Sequence, residues 1–231
     1  MFGLDDLIAS WTDGTSLVLV ALVAVLLGLR HATDPDHLAA VGALVASGRD
    51  RAGRAAALLG ASWGVGHALT LFAFGLPIVL FEAYLPERAQ RAAETSVGLL
   101  IVGLAVWLLI RWRRGVLHAR AHDHGAPHGH GRTPLGALAV GLLHGMGGSA
   151  GVGVLLVATI DDALLGAVAL GLLAAFTAVS MTILTTAFGL ALSSRPLARS
   201  YGGVVPVFGT LSLAFGAWYA LGALSLAPYW F

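Results

Sequence analysis

The residues with the clearest chemistry lie in the heptapeptide HATDPDH at 31–37. It places two imidazoles and two carboxylates in the middle of an apolar stretch, namely His31, Asp34, Asp36 and His37. Ionisable groups at the depth of a bilayer are costly unless they pair, bind a cation or line a water-filled cavity. The cluster therefore predicts an intramembrane metal site. A His–Asp network that only locks two helices together is the alternative.

Pro35 decides how this cluster is arranged. On a continuous helix, Asp34 and His37 would share the face of His31 within an arc of about 120°, whereas Asp36 would point elsewhere. Proline has no N–H to donate to the preceding turn, and its ring crowds that turn. We therefore expect a helix broken at the motif, with Asp36 turned inward. Imidazole and carboxylate together suit Ni²⁺, Co²⁺, Zn²⁺ or Fe²⁺ rather than Mg²⁺ or Ca²⁺.

Two more histidines, His67 and His144, lie in apolar, glycine-rich segments. A single membrane histidine is often a hydrogen-bonded packing residue, but small neighbours let helices approach closely enough to bring both imidazoles to the first cluster. We include both as candidate ligands. The nearby hydroxyls of Ser62, Thr70 and Ser149 are candidates for holding the imidazoles in the right tautomer.

A histidine-rich segment separates the third and fourth apolar stretches. Tracts of this composition bind divalent metals loosely, so we expect an accessory metal-binding loop outside the selective site. A solvated linker without a role is the alternative. The histidines concerned are His118, His122, His124, His128 and His130.

The composition is that of an all-α polytopic membrane protein. Of 231 residues, 58% are hydrophobic and 11% charged, and the mean hydropathy is +0.85. The absence of cysteine excludes disulfides and thiolate metal sites. A net charge of +1, with scattered basic residues, gives no indication of nucleic-acid binding. The acidic N-terminus does not look like a cleaved signal peptide.

Stretches of about 20 apolar residues predict six membrane helices. Arginines follow the first, third and fifth of them, so these loops and the histidine-rich loop are predicted to be cytoplasmic, with both termini outside. The six predicted spans cover residues 17–47, 55–81, 96–111, 135–160, 163–192 and 203–227, the first being interrupted at HATDPDH.

Short internal matches share one spacing. The segment GLRH at 28–31 resembles GLLH at 141–144, 113 positions later, and AFGL occurs at 73–76 and again at 187–190, 114 positions later. Three helices per repeat would give the halves opposite orientations, as in many secondary transporters. We expect a single membrane domain with a 3+3 inverted repeat, divided into residues 1–114, the loop 115–134, and residues 135–231.

The motif RHATDPDHLAAV, with His31, Asp36 and His37, resembles the signature of the nickel/cobalt transporter family. The GHALT around His67 is similar to the motif of that family's next helix. LLHGMGGSAG around His144 is similar to the second half of the short, urease accessory protein H-like branch. The resemblance implies secondary transport of Ni²⁺ or Co²⁺ across the cytoplasmic membrane of a prokaryote. Longer relatives have eight spans rather than six.

Other functions remain open at the level of sequence. Histidines on facing helices also hold haem in membrane redox proteins, and small-solute exporters share an inverted three-helix architecture. An intramembrane hydrolase is disfavoured because no activated nucleophile is evident. We therefore expect no enzyme and no permanent cofactor, with a divalent metal ion and the lipid bilayer as partners. The sequence leaves open the direction of transport, proton coupling and the oligomeric state.

Overall fold

The computed structural model describes residues 4–45, 52–81, 86–114, 133–145, 147, 154, 157–158, 160, 162–194 and 200–228. In this part of the chain all regular structure is helical. Seven helices are described in full: α1 (Leu4–His31), α2 (Pro35–Val45), α3 (Ala52–Phe81), α4 (Glu87–Arg113), α5 (Pro134–His144), α6 (Ala163–Ser193) and α7 (Tyr201–Ala223).

Two helix starts follow directly from the local sequence. The Thr133 side chain accepts a hydrogen bond from the Gly136 backbone N–H at 3.1 Å, and Pro134 occupies the first turn of α5, where its missing N–H costs nothing. Asp162 caps α6 in the same way by accepting from the N–H of Leu165 at 2.8 Å. These caps fix where the helices of the second half begin.

The protein is a multi-pass membrane protein. Helices α3, α4, α6 and α7 are long and apolar enough to cross a bilayer. Leu17–His31 of α1 and Pro35–Val45 of α2 form an apolar pair bent by 49°, which is either one broken span or a re-entrant loop. The predicted fourth span, 135–160, is described as a helix only over Pro134–His144, whose 11 residues rise about 16 Å. The described residues therefore contain four to five candidate spans, and the sixth stays a prediction.

The predicted interruption at the heptapeptide is confirmed. Helix α1 ends at His31, and the backbone N–H groups of Thr33 and Asp34 close a tight turn onto the carbonyls of Arg30 and His31, at 2.9 and 3.1 Å. Helix α2 then starts at Pro35. The new helix direction buries Asp36, which is only 3% exposed.

Glycines let the central helices touch backbone to backbone. A Cβ on Gly64 of α3 would lie 2.8 Å from the Ala178 carbonyl oxygen of α6. A Cβ on Gly141 of α5 would collide with the Trp63 carbonyl oxygen of α3. Small residues commonly serve this purpose in membrane helices. The result is that α5 and α6 lie on α3 at the level of its central turns.

Candidate metal site

Four buried imidazoles meet in the interior, each from a different helix. His31 ends α1, His37 lies in the first turn of α2, His67 lies in α3 and His144 ends α5. Their exposed fractions are 6, 1, 0 and 0%. His67 is the sixteenth of the 30 residues of α3, so the cluster sits halfway along a helix that is long enough to span the membrane.

The first contact within the cluster joins His31 and His67. Their Nε2 atoms lie 3.0 Å apart, so one donates and the other accepts in the absence of a metal ion. The Nδ1 of His31 faces the Asp34 carboxylate at 3.3 Å, and Arg30 approaches the same carboxylate at 3.2 Å. A carboxylate on the far nitrogen of an imidazole orients the ring and raises its basicity as a ligand. Asp34 is therefore placed to support His31.

The second contact centres on Asp36. One carboxylate oxygen lies 3.1 Å from Nδ1 of His37, and the other lies 3.2 Å from Nε2 of His144. All three side chains are buried. Asp36 thus joins α2 to α5, and the helix break brings it inward as the sequence predicts.

Several imidazole nitrogens of this cluster make no hydrogen bond to the described residues. Among the described residues, the buried nitrogens without a hydrogen bond include His37 Nε2, His67 Nδ1 and His144 Nδ1. Buried polar atoms in proteins are almost always paired, so these nitrogens call for an explanation. Coordination of a metal ion between the rings, or hydrogen bonding to water, would satisfy these nitrogens.

The spacing of the donors is that of a coordination sphere. Two groups have ligand atoms all within 4.8 Å of one another: His31, His37 and His67, and Asp36, His37 and His144. Donors bonded at about 2.1 Å lie about 3.0 Å apart at right angles and about 3.4 Å apart at the tetrahedral angle. The observed separations of 3.0 to 3.2 Å fall in this range. Five of the six predicted ligands belong to these groups, and Asp34 belongs to neither.

The hydroxyl candidates lie elsewhere. Thr70 donates to the Gly66 carbonyl of its own helix at 3.1 Å, so its proton is used within the helix and not on an imidazole. Ser62 lines a groove between α3 and α5 beside Leu138. Ser149 and the five histidines of the loop lie outside the described residues.

Sequence reasoning missed Trp63. This side chain is fully buried, and its ring centroid lies 5.6 Å from that of His37 and 5.7 Å from that of His144. Its indole nitrogen has no partner among the described residues. Trp63 precedes His67 by one helical turn, and that spacing was the signal that it shares the face of the histidine.

The geometry disagrees with a haem between facing histidines. Ring centroids of 4.5 to 5.8 Å across the whole cluster leave no slot for a macrocycle.

A multi-pass helical protein whose interior brings buried imidazoles and a carboxylate to the spacing of metal ligands fits the class of membrane metal-ion transporters. Residues 17–132 match the family model described as high-affinity nickel-transport protein, and the chain belongs to this family, called NicO. It is a transport family, and its members are not enzymes. The predicted resemblance to nickel/cobalt transporters is thereby confirmed.

Two curated relatives align along most of the chain. The urease accessory protein UreH of Bacillus sp. (strain TB-90) is 29% identical over 214 residues, which cover 90% of this chain and 92% of the relative. A protein proposed as a nickel/cobalt efflux system of Methanocaldococcus jannaschii is 28% identical over 189 residues, covering 80% and 82%. No solved structure matches the chain.

Proposed function

We propose that this protein is a secondary transporter that carries Ni²⁺ or Co²⁺ across the cytoplasmic membrane of a prokaryote. The observation that carries the proposal is the convergence of His31, Asp36, His37, His67 and His144 from four helices. The family model is described as a high-affinity nickel-transport protein, and one relative is named for nickel/cobalt efflux; both support the choice of metal.

The donor set explains the selectivity that we propose. Imidazole nitrogens favour late first-row divalent ions, whereas Mg²⁺ and Ca²⁺ prefer oxygen ligands and several waters. Asp36 would neutralise one of the two positive charges of the ion, and Asp34 would act through His31. Since this cluster lacks sulfur, it would not favour Cu⁺.

An inverted repeat of six helices accounts best for how the helices cross. If a two-fold axis relates the two halves, a residue close to that axis contacts the equivalent residue of the other half. Gly64 and Ala178 meet at the crossing of α3 and α6 and are 114 positions apart, which equals the spacing of the AFGL segments. Where α4 crosses α7, Gly216 packs on Ile101, two residues from its counterpart Gly103.

A second pair of contacts has the same relation. Gly28 of α1 packs on α6, where its Cβ would lie 2.6 Å from the Leu173 carbonyl oxygen, and its counterpart Gly141 of α5 packs on α3. Exchanging the halves exchanges these two contacts. In this arrangement His144 is the counterpart of His31, at the spacing of 113, and Met181 is the counterpart of His67, at the spacing of 114 that relates α3 to α6. The second half would then contribute one imidazole where the first contributes three.

The loops complete the proposal. Arginine-rich connections after the first, third and fifth spans would face the cytoplasm, and both termini would lie outside. The histidine-rich segment at 115–134 would then be a cytoplasmic buffer for metal that enters or leaves the site.

Uptake of metal by vesicles tests the proposal. The purified protein, reconstituted into liposomes, should move Ni²⁺ or Co²⁺ into vesicles that contain a fluorescent chelator, faster than empty liposomes and with little response to Mg²⁺. Equal rates with and without the protein for all four of Ni²⁺, Co²⁺, Zn²⁺ and Fe²⁺ would contradict it.

A further inference from the structure

The two groups of donors share one residue, His37. The first, which we call the three-imidazole position, consists of His31, His37 and His67. The second, which we call the carboxylate position, consists of Asp36, His37 and His144. Within each group the ligand atoms lie within 4.8 Å of one another, but the five residues do not form one such group.

The two positions have different partners on their outer sides. His31 of the three-imidazole position is backed by Asp34, at 3.3 Å. The carboxylate position lies beside Trp63, whose ring is within 5.7 Å of both of its imidazoles. The ring centroids of His67 and His144, which belong to different positions, are the most widely separated of the histidine contacts in the cluster, at 5.8 Å. The cluster is therefore elongated, with His37 at its centre.

His37 has the contacts that a shared ligand needs. Its ring centroid lies 4.5 Å from that of His31, 4.9 Å from that of His67 and 4.5 Å from that of His144. Its Nδ1 faces Asp36 at 3.1 Å, and its Nε2 has no hydrogen-bond partner in the described part of the chain. A neutral imidazole offers one lone pair at a time, because its other nitrogen carries the proton.

We propose that the metal ion occupies these two positions in turn, and that His37 stays bound while the ion exchanges His31 and His67 for Asp36 and His144. This inference rests on the proposed transport function and names the path within its site. Each exchange replaces two ligands and keeps one, so the ion is never stripped of all its donors in the membrane interior. The positions also differ in charge, since only one of them contains a carboxylate ligand.

Simultaneous occupancy is disfavoured by the same geometry. Two divalent ions on one imidazole would need a deprotonated bridging ring, and they would repel each other strongly in an interior of low dielectric. We therefore expect one ion per chain at saturation.

Binding of Co²⁺ to the purified full-length protein tests the proposal, using equilibrium dialysis for stoichiometry and X-ray absorption for ligand type. His67→Asn removes only the three-imidazole position, His144→Asn only the carboxylate position, and His37→Asn both. Gly103→Ala serves as the control, because no described residue beyond its own stretch of helix lies within 4 Å of a Cβ there. Asp36→Asn is a second variant of the carboxylate position, in case His144→Asn does not give a folded protein.

The expected result is one Co²⁺ per chain in the wild type, in His67→Asn and in His144→Asn. The count of imidazole ligands should be higher in His144→Asn than in His67→Asn. His37→Asn should bind at least 100-fold more weakly than either. Both single-position variants should transport at least tenfold more slowly than the wild type although they bind metal.

Two results would overturn the inference and leave the proposed function intact. One is two Co²⁺ ions per wild-type chain. The other is loss of binding in His67→Asn, His144→Asn and Asp36→Asn as complete as in His37→Asn, with all four variants eluting as folded protein, because that would indicate a single sphere. A folded wild-type protein that binds no Co²⁺ would instead overturn the proposed function.

Discussion

Replacing Gly141 by alanine should weaken metal binding although it changes no ligand side chain. The new Cβ would collide with the Trp63 carbonyl oxygen and lie 2.8 Å from the His67 backbone nitrogen. Ordinary contact begins near 3.4 Å, so α5 must move away from α3 by about 0.6 Å or more. His144 lies one turn further along α5 and moves with it, away from Asp36.

The size of the effect on binding follows from the free-energy cost of placing an extra methyl group in a packed interior, which is about 1–3 kcal/mol. If the strain is relieved by displacing α5, this energy weakens binding at the carboxylate position. In a His67→Asn background, where that position alone binds, Gly141→Ala should therefore raise Kd by roughly 5- to 150-fold. A misplacement on this scale also slows the movement of the ion, so transport should fall by about tenfold or more.

Dialysis with Co²⁺ gives Kd, and cellular Ni²⁺ uptake at equal membrane abundance gives transport. Gly103→Ala is the matched control, since it adds the same methyl group to a membrane helix at a point where no other described helix comes within 4 Å. It should bind and transport like the wild type. Wild-type affinity and transport in Gly141→Ala would refute the view that this helix contact positions His144, as would equal losses in the two variants.

Three further predictions concern the ligands, the loop and the second half. Asp36→Ala and His37→Ala should each abolish transport while the protein stays inserted, and normal uptake by either variant at equal abundance would refute the site. Ser180→Ala removes a hydrogen bond of 2.9 Å to the Gly28 carbonyl, so it should destabilise the protein by about 1 kcal/mol in thermal unfolding with Kd for Co²⁺ unchanged. Replacing all five loop histidines by serine should change the metal dependence of transport severalfold at most, whereas complete loss of transport would show that the ion must pass through the loop. The histidines to be replaced are His118, His122, His124, His128 and His130.

The sequence predicted the chemistry of the cluster and the helix break, because both are local. Proline at position 35 cannot continue the hydrogen bonding of the preceding turn, and a buried Asp or His needs a partner wherever it lies. These constraints hold for any packing of the helices. They identified all the residues of the two donor groups.

The sequence alone could not predict which side chains of the cluster contact each other. His31 meets His67 across 36 positions, and Asp36 meets His144 across 108. Which ring faces which depends on contacts such as those of Gly64 and Gly141, where helices touch through their backbones. Thr70 shows the same limit, since a hydroxyl in a membrane helix can bond to its own helix as easily as to a neighbour.

Accumulation of metal in cells with and without the protein tests the central claim most directly. The account predicts that expression changes cellular Ni²⁺ or Co²⁺ severalfold, that Mg²⁺ does not change, and that the effect disappears in Asp36→Ala and His37→Ala. The sign of the change gives the direction of transport. Metal contents that are the same for the wild type and these two variants, at equal abundance in the membrane, would contradict it.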